Sequence, residues 1–159
     1  MTMKLESSAL AEGAKIDRRF TGDGEDVSPP LAWHDPPAGT RQFALVCDDP
    51  DAPSPQPWVH WLIYGIAADV ERLPENLPAE PRLTGPVAAL QGHNSWTTGR
   101  VIGYRGPQPP RGKPHHYHFR LYALDAPLDV PPGLDRAALE KAMAGHILAR
   151  AELVGVYSR

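Results

Sequence analysis

Proline is the residue that most restricts how this chain can fold. There are 19 prolines and 14 glycines among 159 residues, spread along the chain without a period. Proline lacks an amide donor, so it is excluded from helix interiors and from central strands. The runs between the prolines, such as FALVC, WVHWLIYGI and HFRLYAL, are too hydrophobic for a disordered chain. We therefore expect an all-β protein with peripheral helices and rigid loops, in a single domain over residues 1–159.

Charge and composition exclude several classes of function. The net charge is −3 and there is no basic run, so the sequence carries no electrostatic signature of nucleic-acid binding. Cys47 is the single cysteine, which excludes an internal disulfide and fits a reducing compartment. The first residues lack the apolar core of a signal peptide, and no apolar run approaches the ~20 residues of a membrane span. We expect a cytoplasmic protein that does not insert into membranes.

Two continuous apolar runs predict buried strands. Phe43–Cys47 is typical of a strand covered on both faces, and Trp58–Ile66 of a central strand. Because strand side chains alternate between faces, His60 is predicted to share a face with Trp58, Leu62 and Tyr64. A histidine in such a run is more often a core residue than a ligand. Its buried nitrogens nevertheless need hydrogen-bond partners, so a carboxylate or a ligand should lie close to it.

A third strand begins where a loop rich in proline and glycine ends. The loop spans Gly106–Pro114, and the strand begins at His115. Alternation places His115 and Tyr117 on the apolar face and His116 and His118 on the other face. Adjacent histidines on a strand point in opposite directions, so this cluster is a poor match to a metal site, and we expect no metal.

The C-terminal part of the chain predicts one short helix. Asp135 can cap it, and the apolar residues Leu139, Met143 and Ile147 recur at i, i+4 and i+8. We expect this helix to end near Arg150 and a terminal strand to follow it.

Four side chains from these segments can be weighed as a site. Asp49 follows the first apolar run, where it either caps a turn or ends the strand and points into a pocket. Together with His60, His115 and Tyr117 it would form an anion cradle of two imidazoles, a phenol and loop amides, without lysine or arginine. The sequence has no Walker A, GxGxxG or GxSxG motif and supplies no activated nucleophile. These groups suit binding better than catalysis.

Three motifs carry a resemblance to a known family. Residues 24–33 read GEDVSPPLAW; Asp49–Pro53 is followed by Trp58–Trp61; and Gly103–Tyr117 reads GYRGPQPPRGKPHHY. In this order and separation they resemble the phosphatidylethanolamine-binding protein family, in its bacterial Raf-kinase-inhibitor-like branch. The resemblance covers nearly the whole chain.

The resemblance implies a fold and a pocket. The fold is an antiparallel β-sandwich with short peripheral helices, and a small pocket at one end takes phosphate, phosphorylated head groups, acetate or cacodylate. No cofactor is implied, and bacterial relatives tend to form homodimers. The pocket residues by this resemblance are Asp49, His60, His115 and Tyr117 at ligand positions, and Ala52, Pro53, Trp58, Gly106 and Pro110 in the walls.

Three functions follow as hypotheses. The first is a non-enzymatic binding protein: His60 and His115 bind the anion, Tyr117 donates a hydrogen bond, and Asp49 orients an imidazole or binds a cationic group. Affinity would then fall as pH rises past the histidine pKa values. The second is a kinase-inhibitor-like regulator whose pocket recognises a phosphorylated partner protein. The third, a weak hydrolase with a histidine base, is disfavoured because no nucleophile or metal site accompanies it.

Overall fold

Two antiparallel sheets form the framework of the computed structural model, which describes residues 2–159. The strands are β1 (Lys4–Glu6), β2 (Leu31–His34), β3 (Gln42–Asp49), β4 (Trp58–Ala67), β5 (Arg72–Leu73), β6 (Arg82–Leu83), β7 (Ala89–Gln91), β8 (His115–Leu124) and β9 (Ile147–Tyr157). The smaller sheet has the strand order β1-β2-β5, and the larger has the order β6-β7-β4-β3-β8-β9. Both sheets are open. The predicted all-β antiparallel sandwich is confirmed.

The central strand β3 is covered on both faces, as its continuous apolar run predicts. Phe43 and Leu45 belong to a hydrophobic cluster between the two sheets, whereas Ala44 and Val46 pack with Leu139 of the helix on the opposite side. Burying a large apolar side chain contributes roughly 1.5–3 kcal/mol. One face of β3 therefore stabilises the packing of the two sheets, and the other face stabilises the packing of the helix on the larger sheet. The larger sheet is therefore the middle layer of the domain.

The one α-helix within residues 2–159, α1 (Arg136–Met143), covers the outer face of the larger sheet. Asp135 caps it as predicted, because its carboxylate accepts a hydrogen bond from the amide of the third helical residue. The prediction that the helix extends to about Arg150 is wrong. Gly145 has a left-handed backbone (φ 81°) that turns the chain, and from Ile147 onward the backbone pairs with β8. Among residues 2–159, no helix is long and apolar enough to cross a bilayer.

Three strand ends meet at one end of the larger sheet. Asp49, the last residue of β3, pairs with Trp58, the first residue of β4. On the other side of β3, the penultimate residue Asp48 pairs with His118 near the start of β8. The side chains named in the sequence motifs are therefore brought to one edge of the sandwich.

Candidate functional site

A β-bulge near the start of β4 decides where His60 points. Val59 pairs with Asp48, but Cys47, the residue before Asp48 in β3, pairs with Trp61. His60 therefore has no partner in this ladder. A bulge of this kind inserts an unpaired residue and re-aims the side chains around it.

The bulge changes which residues of β4 share a face. Leu62 and Tyr64 pack in the cluster under α1, whereas Trp61 packs between the sheets. The imidazole of His60 lies on the inter-sheet side, edge-on to the ring of Tyr117 with 5.1 Å between centroids. The prediction that His60 shares a face with Leu62 and Tyr64 is wrong, because alternation was counted straight through the bulge.

Strand β8 follows the alternation that the sequence predicts. His115 and Tyr117 are buried on the inter-sheet side, and His116 is exposed on the other side. The Nδ1 atom of His116 lies 2.8 Å from the Asp51 carboxylate, so that histidine holds a loop. Within residues 2–159 there is no cluster of three or more His, Cys, Asp or Glu suited to a metal ion.

The side chains from β3, β4 and β8 border a cavity of about 240 Å³. The predicted pocket residues all line it except Gly106. Its lining consists of Asp49, Ala52, Pro53, Ser54, Trp58, His60, Trp96, Gln108, Pro109, Pro110, His115 and Tyr117.

Gly106 supports the cavity loop from behind instead of lining it. Its amide donates a hydrogen bond of 2.6 Å to the carboxylate of Asp26. A Cβ atom at this position would lie 2.1 Å from the carbonyl oxygen of Phe20, so only glycine fits the close approach of the two backbones. The placement of Gly106 in the pocket wall is corrected accordingly, and its amide is not available to an anion.

The sequence reasoning missed four lining residues, namely Ser54, Trp96, Gln108 and Pro109. Trp96 is the largest of them and lies edge-on to both Trp58 and His60, with 5.4 and 5.2 Å between ring centroids. It comes from a turn-rich loop, where no strand alternation indicates the direction of a side chain. Pro109 and Ser54 are sequence neighbours of the predicted wall residues Pro110 and Pro53. This adjacency was the sequence signal that could have identified them.

A buried carboxylate fixes the orientation of His115. The Nδ1 atom of His115 lies 2.6 Å from Oδ2 of Asp49, and a carboxylate oxygen of this kind accepts the ring hydrogen. The other oxygen of Asp49 accepts the amide hydrogen of Asp51 at 2.8 Å. Asp49 therefore ends β3 and points into the site, and it serves both as a turn cap and as an orienting group for a histidine. Nε2 of His115 is the ring atom left for a molecule in the cavity.

His60 is held by a backbone carbonyl instead of a carboxylate. Its Nδ1 atom lies 2.6 Å from the carbonyl oxygen of Arg105. A carbonyl can only accept, so Nδ1 carries the hydrogen. Burial lowers the pKa of His60, against a smaller opposing effect of that hydrogen bond and of Asp49, so the ring is neutral at pH 7. Nε2 of His60 is then a hydrogen-bond acceptor, not the cationic donor that the anion-cradle hypothesis expects.

Tyr117 completes the polar groups of the cavity. Its ring is buried, and burial raises the pKa of its hydroxyl, so the phenol stays protonated and can donate. Among residues 2–159 the only fully buried side-chain nitrogen or oxygen without a hydrogen bond is Nδ1 of His118, which lies 3.3 Å from the carboxylate of Glu152. The Tyr117 hydroxyl and the Nε2 atoms of His60 and His115, for which no protein partner is found in that range, are thus open to the cavity.

Relatives of known sequence match this chain over nearly its full length. A UPF0098 protein of Methanothermobacter thermautotrophicus is 46% identical over 157 residues, covering 99% of each chain. The UPF0098 protein YbhB of Escherichia coli is 38% identical over 162 residues, covering 98% of this chain and all of its own length.

Solved structures show the same fold. The phosphatidylethanolamine-binding protein homolog CT736 of Chlamydia trachomatis superposes with a TM-score of 0.87 at 34% identity, covering 99% of this chain and 98% of its own. Escherichia coli YbcL, described as a new member of the mammalian family, also gives a TM-score of 0.87, at 31% identity and over 100% and 99% of the two chains. The sequence model of the family described as phosphatidylethanolamine-binding protein matches residues 6–158. This chain therefore belongs to the phosphatidylethanolamine-binding protein family.

Proposed function

We propose that this protein is a non-catalytic binding protein whose cavity takes a small anion, either phosphate or a phosphorylated head group. The observation that carries the proposal is the convergence of His60, His115 and Tyr117, each with a free polar atom, on one cavity. Convergent polar groups in an otherwise apolar concavity are the usual form of a small-molecule site.

The size of the cavity limits the ligand. At about 240 Å³ it is smaller than the roughly 300–1,000 Å³ of pockets that enclose drug-sized molecules. Prolines and the indoles of Trp58 and Trp96 form its apolar walls. A tetrahedral anion or a head group fits this space, whereas an acyl chain would have to lie outside it.

The groups in the cavity favour binding over turnover. The lining contains one aliphatic hydroxyl, that of Ser54, and it donates to the carbonyl oxygen of Gln56 at 2.6 Å instead of to an imidazole. The phenol of Tyr117 stays protonated, because burial raises its pKa. Cys47 is buried in the core, and burial raises the pKa of its thiol, which keeps it from forming a thiolate. The Asp49–His115 pair therefore has no adjacent nucleophile to activate.

Calorimetric titration with phosphate and with phosphoethanolamine at pH 6 tests the proposal. We expect saturable binding to the wild type and a loss of at least about tenfold in His115→Ala and in Tyr117→Phe, because each removes a polar group that borders the cavity. His146→Ala is the matched control, since His146 is an exposed histidine paired with Asp125. Tyr117→Phe guards against misfolding in the alanine variant. Absence of heat with both ligands, or equal binding by all variants, would contradict the proposal.

The location of the protein, its oligomeric state and its protein partners stay predictions. A cytoplasmic location, a homodimer and a phosphorylated protein partner each need their own measurement. Binding to a phosphorylated partner that persists in His115→Ala would show that any such partner uses another surface.

A further inference from the structure

A single peptide unit lies between His60 and a carboxylate outside the cavity, that of Asp26. This unit joins Arg105 to Gly106, and its carbonyl oxygen lies 2.6 Å from Nδ1 of His60. Its amide nitrogen lies 2.6 Å from Oδ1 of Asp26. The peptide is trans, so its carbonyl and its amide hydrogen point in opposite directions within one plane. The two hydrogen bonds therefore hold this plane from both ends.

The chemistry of the carboxylate fixes the direction of the peptide. A carboxylate oxygen accepts hydrogen bonds and, when ionised, has no hydrogen to donate, so Asp26 faces the amide and not the carbonyl. Half a turn of the peptide would bring the carbonyl oxygen against this carboxylate. It would also aim the amide hydrogen of Gly106 at His60. Nδ1 of the neutral ring would then have to accept, and Nε2 would carry the hydrogen.

Gly106 gives the backbone little resistance to such a rotation. Its φ is negative, and half a turn of the peptide would move it toward positive values, which glycine adopts about as readily. A side chain does not fit at this position, because its Cβ atom would lie 2.1 Å from the carbonyl oxygen of Phe20. The residue that the packing requires is thus also the one that restrains the peptide least. The restraint has to come from hydrogen bonds.

Asp26 is itself held by its backbone and by Arg100. Its φ of 59° lies in the left-handed region, which aspartate and asparagine enter more readily than most residues with a side chain. Nη1 of Arg100 lies 3.6 Å from Oδ2 of Asp26 and donates to the carbonyl oxygen of Asp26 at 3.0 Å. The same atom donates to the carbonyl oxygen of Tyr104 at 3.2 Å. Arg100 therefore ties Asp26 to the segment that leads into Arg105.

We propose that Asp26 is a positioning residue, which acts through the Arg105–Gly106 peptide to keep His60 in the tautomer with its hydrogen on Nδ1. Nε2 of His60 then accepts hydrogen bonds in the cavity, whereas in the other tautomer it would donate. The bond between Asp26 and the amide also polarises the carbonyl of the same peptide, which strengthens its bond to His60. This role goes beyond the proposed function, because it belongs to the protein without a ligand.

Histidine NMR of the ligand-free protein at pH 7.5 tests the role of Asp26. Long-range proton–nitrogen spectra show which nitrogen of each imidazole carries the hydrogen, and we expect Nδ1 for His60 in the wild type. In Asp26→Asn the carboxamide can accept from the amide or donate to the rotated carbonyl, so the direction of the peptide is no longer fixed. The population of the Nε2–H tautomer should rise by at least about tenfold, because a hydrogen bond to a charged group contributes more than one between neutral groups.

Glu25→Gln is the matched control. It removes the neighbouring carboxylate, which is exposed and pairs with Arg19, and it should keep the wild-type signals of His60. A wild-type ring with its hydrogen on Nε2 would overturn the proposal without any variant. A single Nδ1–H tautomer in Asp26→Asn, or equal changes in the two variants, would overturn it as well. Since no ligand is present, these outcomes are independent of whether phosphate binds.

The response of the second cavity histidine separates positioning from a general loosening of the cavity. His115 is held by the carboxylate of Asp49, so its signals in Asp26→Asn should stay as they are in the wild type. Movement of the His115 signals as large as that of the His60 signals would mean that the substitution disturbs the whole cavity. That result would contradict a specific role of Asp26 in holding His60.

Discussion

At the scale of single residues, the two cavity histidines differ because their Nδ1 atoms have different partners. His115 is held by the carboxylate of Asp49, and His60 by the carbonyl of Arg105. Burial lowers the pKa of His60. The folded protein then binds fewer protons at this site than the unfolded chain does, so this contribution to stability is present above about pH 6.5 and is lost as the pH falls toward the folded-state pKa.

His60→Gln should reduce this loss. We expect the urea midpoint of the wild type to fall more between pH 7.5 and pH 5.0 than that of the variant, because glutamine does not titrate. Parallel measurements on His146→Gln should follow the wild type. If the wild type and His60→Gln lose equal stability over this range, His60 is not a buried neutral histidine.

At the scale of elements, the bulge in β4 links a loop to the direction of His60. Beside the bulge, the amide of Val59 donates to the hydroxyl of Ser95 at 2.7 Å, and the amide of Ser95 donates to the carbonyl of Val59 at 2.9 Å. Ser95 therefore binds both backbone polar groups of Val59, the residue next to the bulge. Trp96, the next residue, completes the wall of the cavity.

Ser95→Ala should loosen this arrangement. The buried amide of Val59 would lose its acceptor, at a cost of about 1–3 kcal/mol in the free energy of unfolding, and phosphate affinity should fall with it. Ser54→Ala is the matched control for stability, because its hydroxyl bonds within an exposed turn, and we expect a change within about 0.5 kcal/mol. Equal effects of the two substitutions would show that the bulge does not depend on Ser95.

The elements also show what could be predicted from the sequence. Strand β8 has an uninterrupted register with β3, so alternation correctly assigned the faces of His115 and Tyr117. In β4 the same rule failed after His60, because a bulge is set by the partner strand and leaves no mark in a uniformly apolar run. Ile147 continues the helical pattern of α1 but lies in β9, because tertiary pairing with β8 overrides a helical periodicity. Trp96 lies in a loop, where no alternation pattern predicts the direction of a side chain.

At the scale of the whole molecule, two adjacent aspartates serve opposite sides of the larger sheet. Asp49 faces the cavity. Asp48 is buried on the other side, where its carboxylate lies 3.2 Å from the guanidinium of Arg120 and 2.5 Å from that of Arg136. Arg120 is on β8 and Arg136 opens α1, so this carboxylate ties the sheet to its covering helix.

Asp48→Asn should therefore lower the stability of the protein and leave its phosphate affinity nearly unchanged. Arg120 and Arg136 keep their ion pairs with Glu152 and Glu140, but both lose their bonds to the buried carboxylate. We therefore expect a cost of about 1–3 kcal/mol in the free energy of unfolding. Phosphate affinity should stay within about threefold of wild type, because Asp48 does not border the cavity. Asp125→Asn, which removes an exposed carboxylate paired with His146, should cost less than about 1 kcal/mol. A tenfold loss of phosphate affinity in Asp48→Asn would mean that the two sides of the sheet are coupled.

The central claim is that a small anion sits between His60 and His115, and histidine NMR tests it most directly. Long-range proton–nitrogen spectra of protein labelled with nitrogen-15 histidine report Nδ1 and Nε2 of each of the seven imidazoles. During a phosphate titration we predict that the Nε2 signals of His60 and His115 move along one saturable curve, while those of the exposed His34 and His146 do not. Signals that all stay fixed, or exposed histidines that respond as strongly as the cavity pair, would contradict the account.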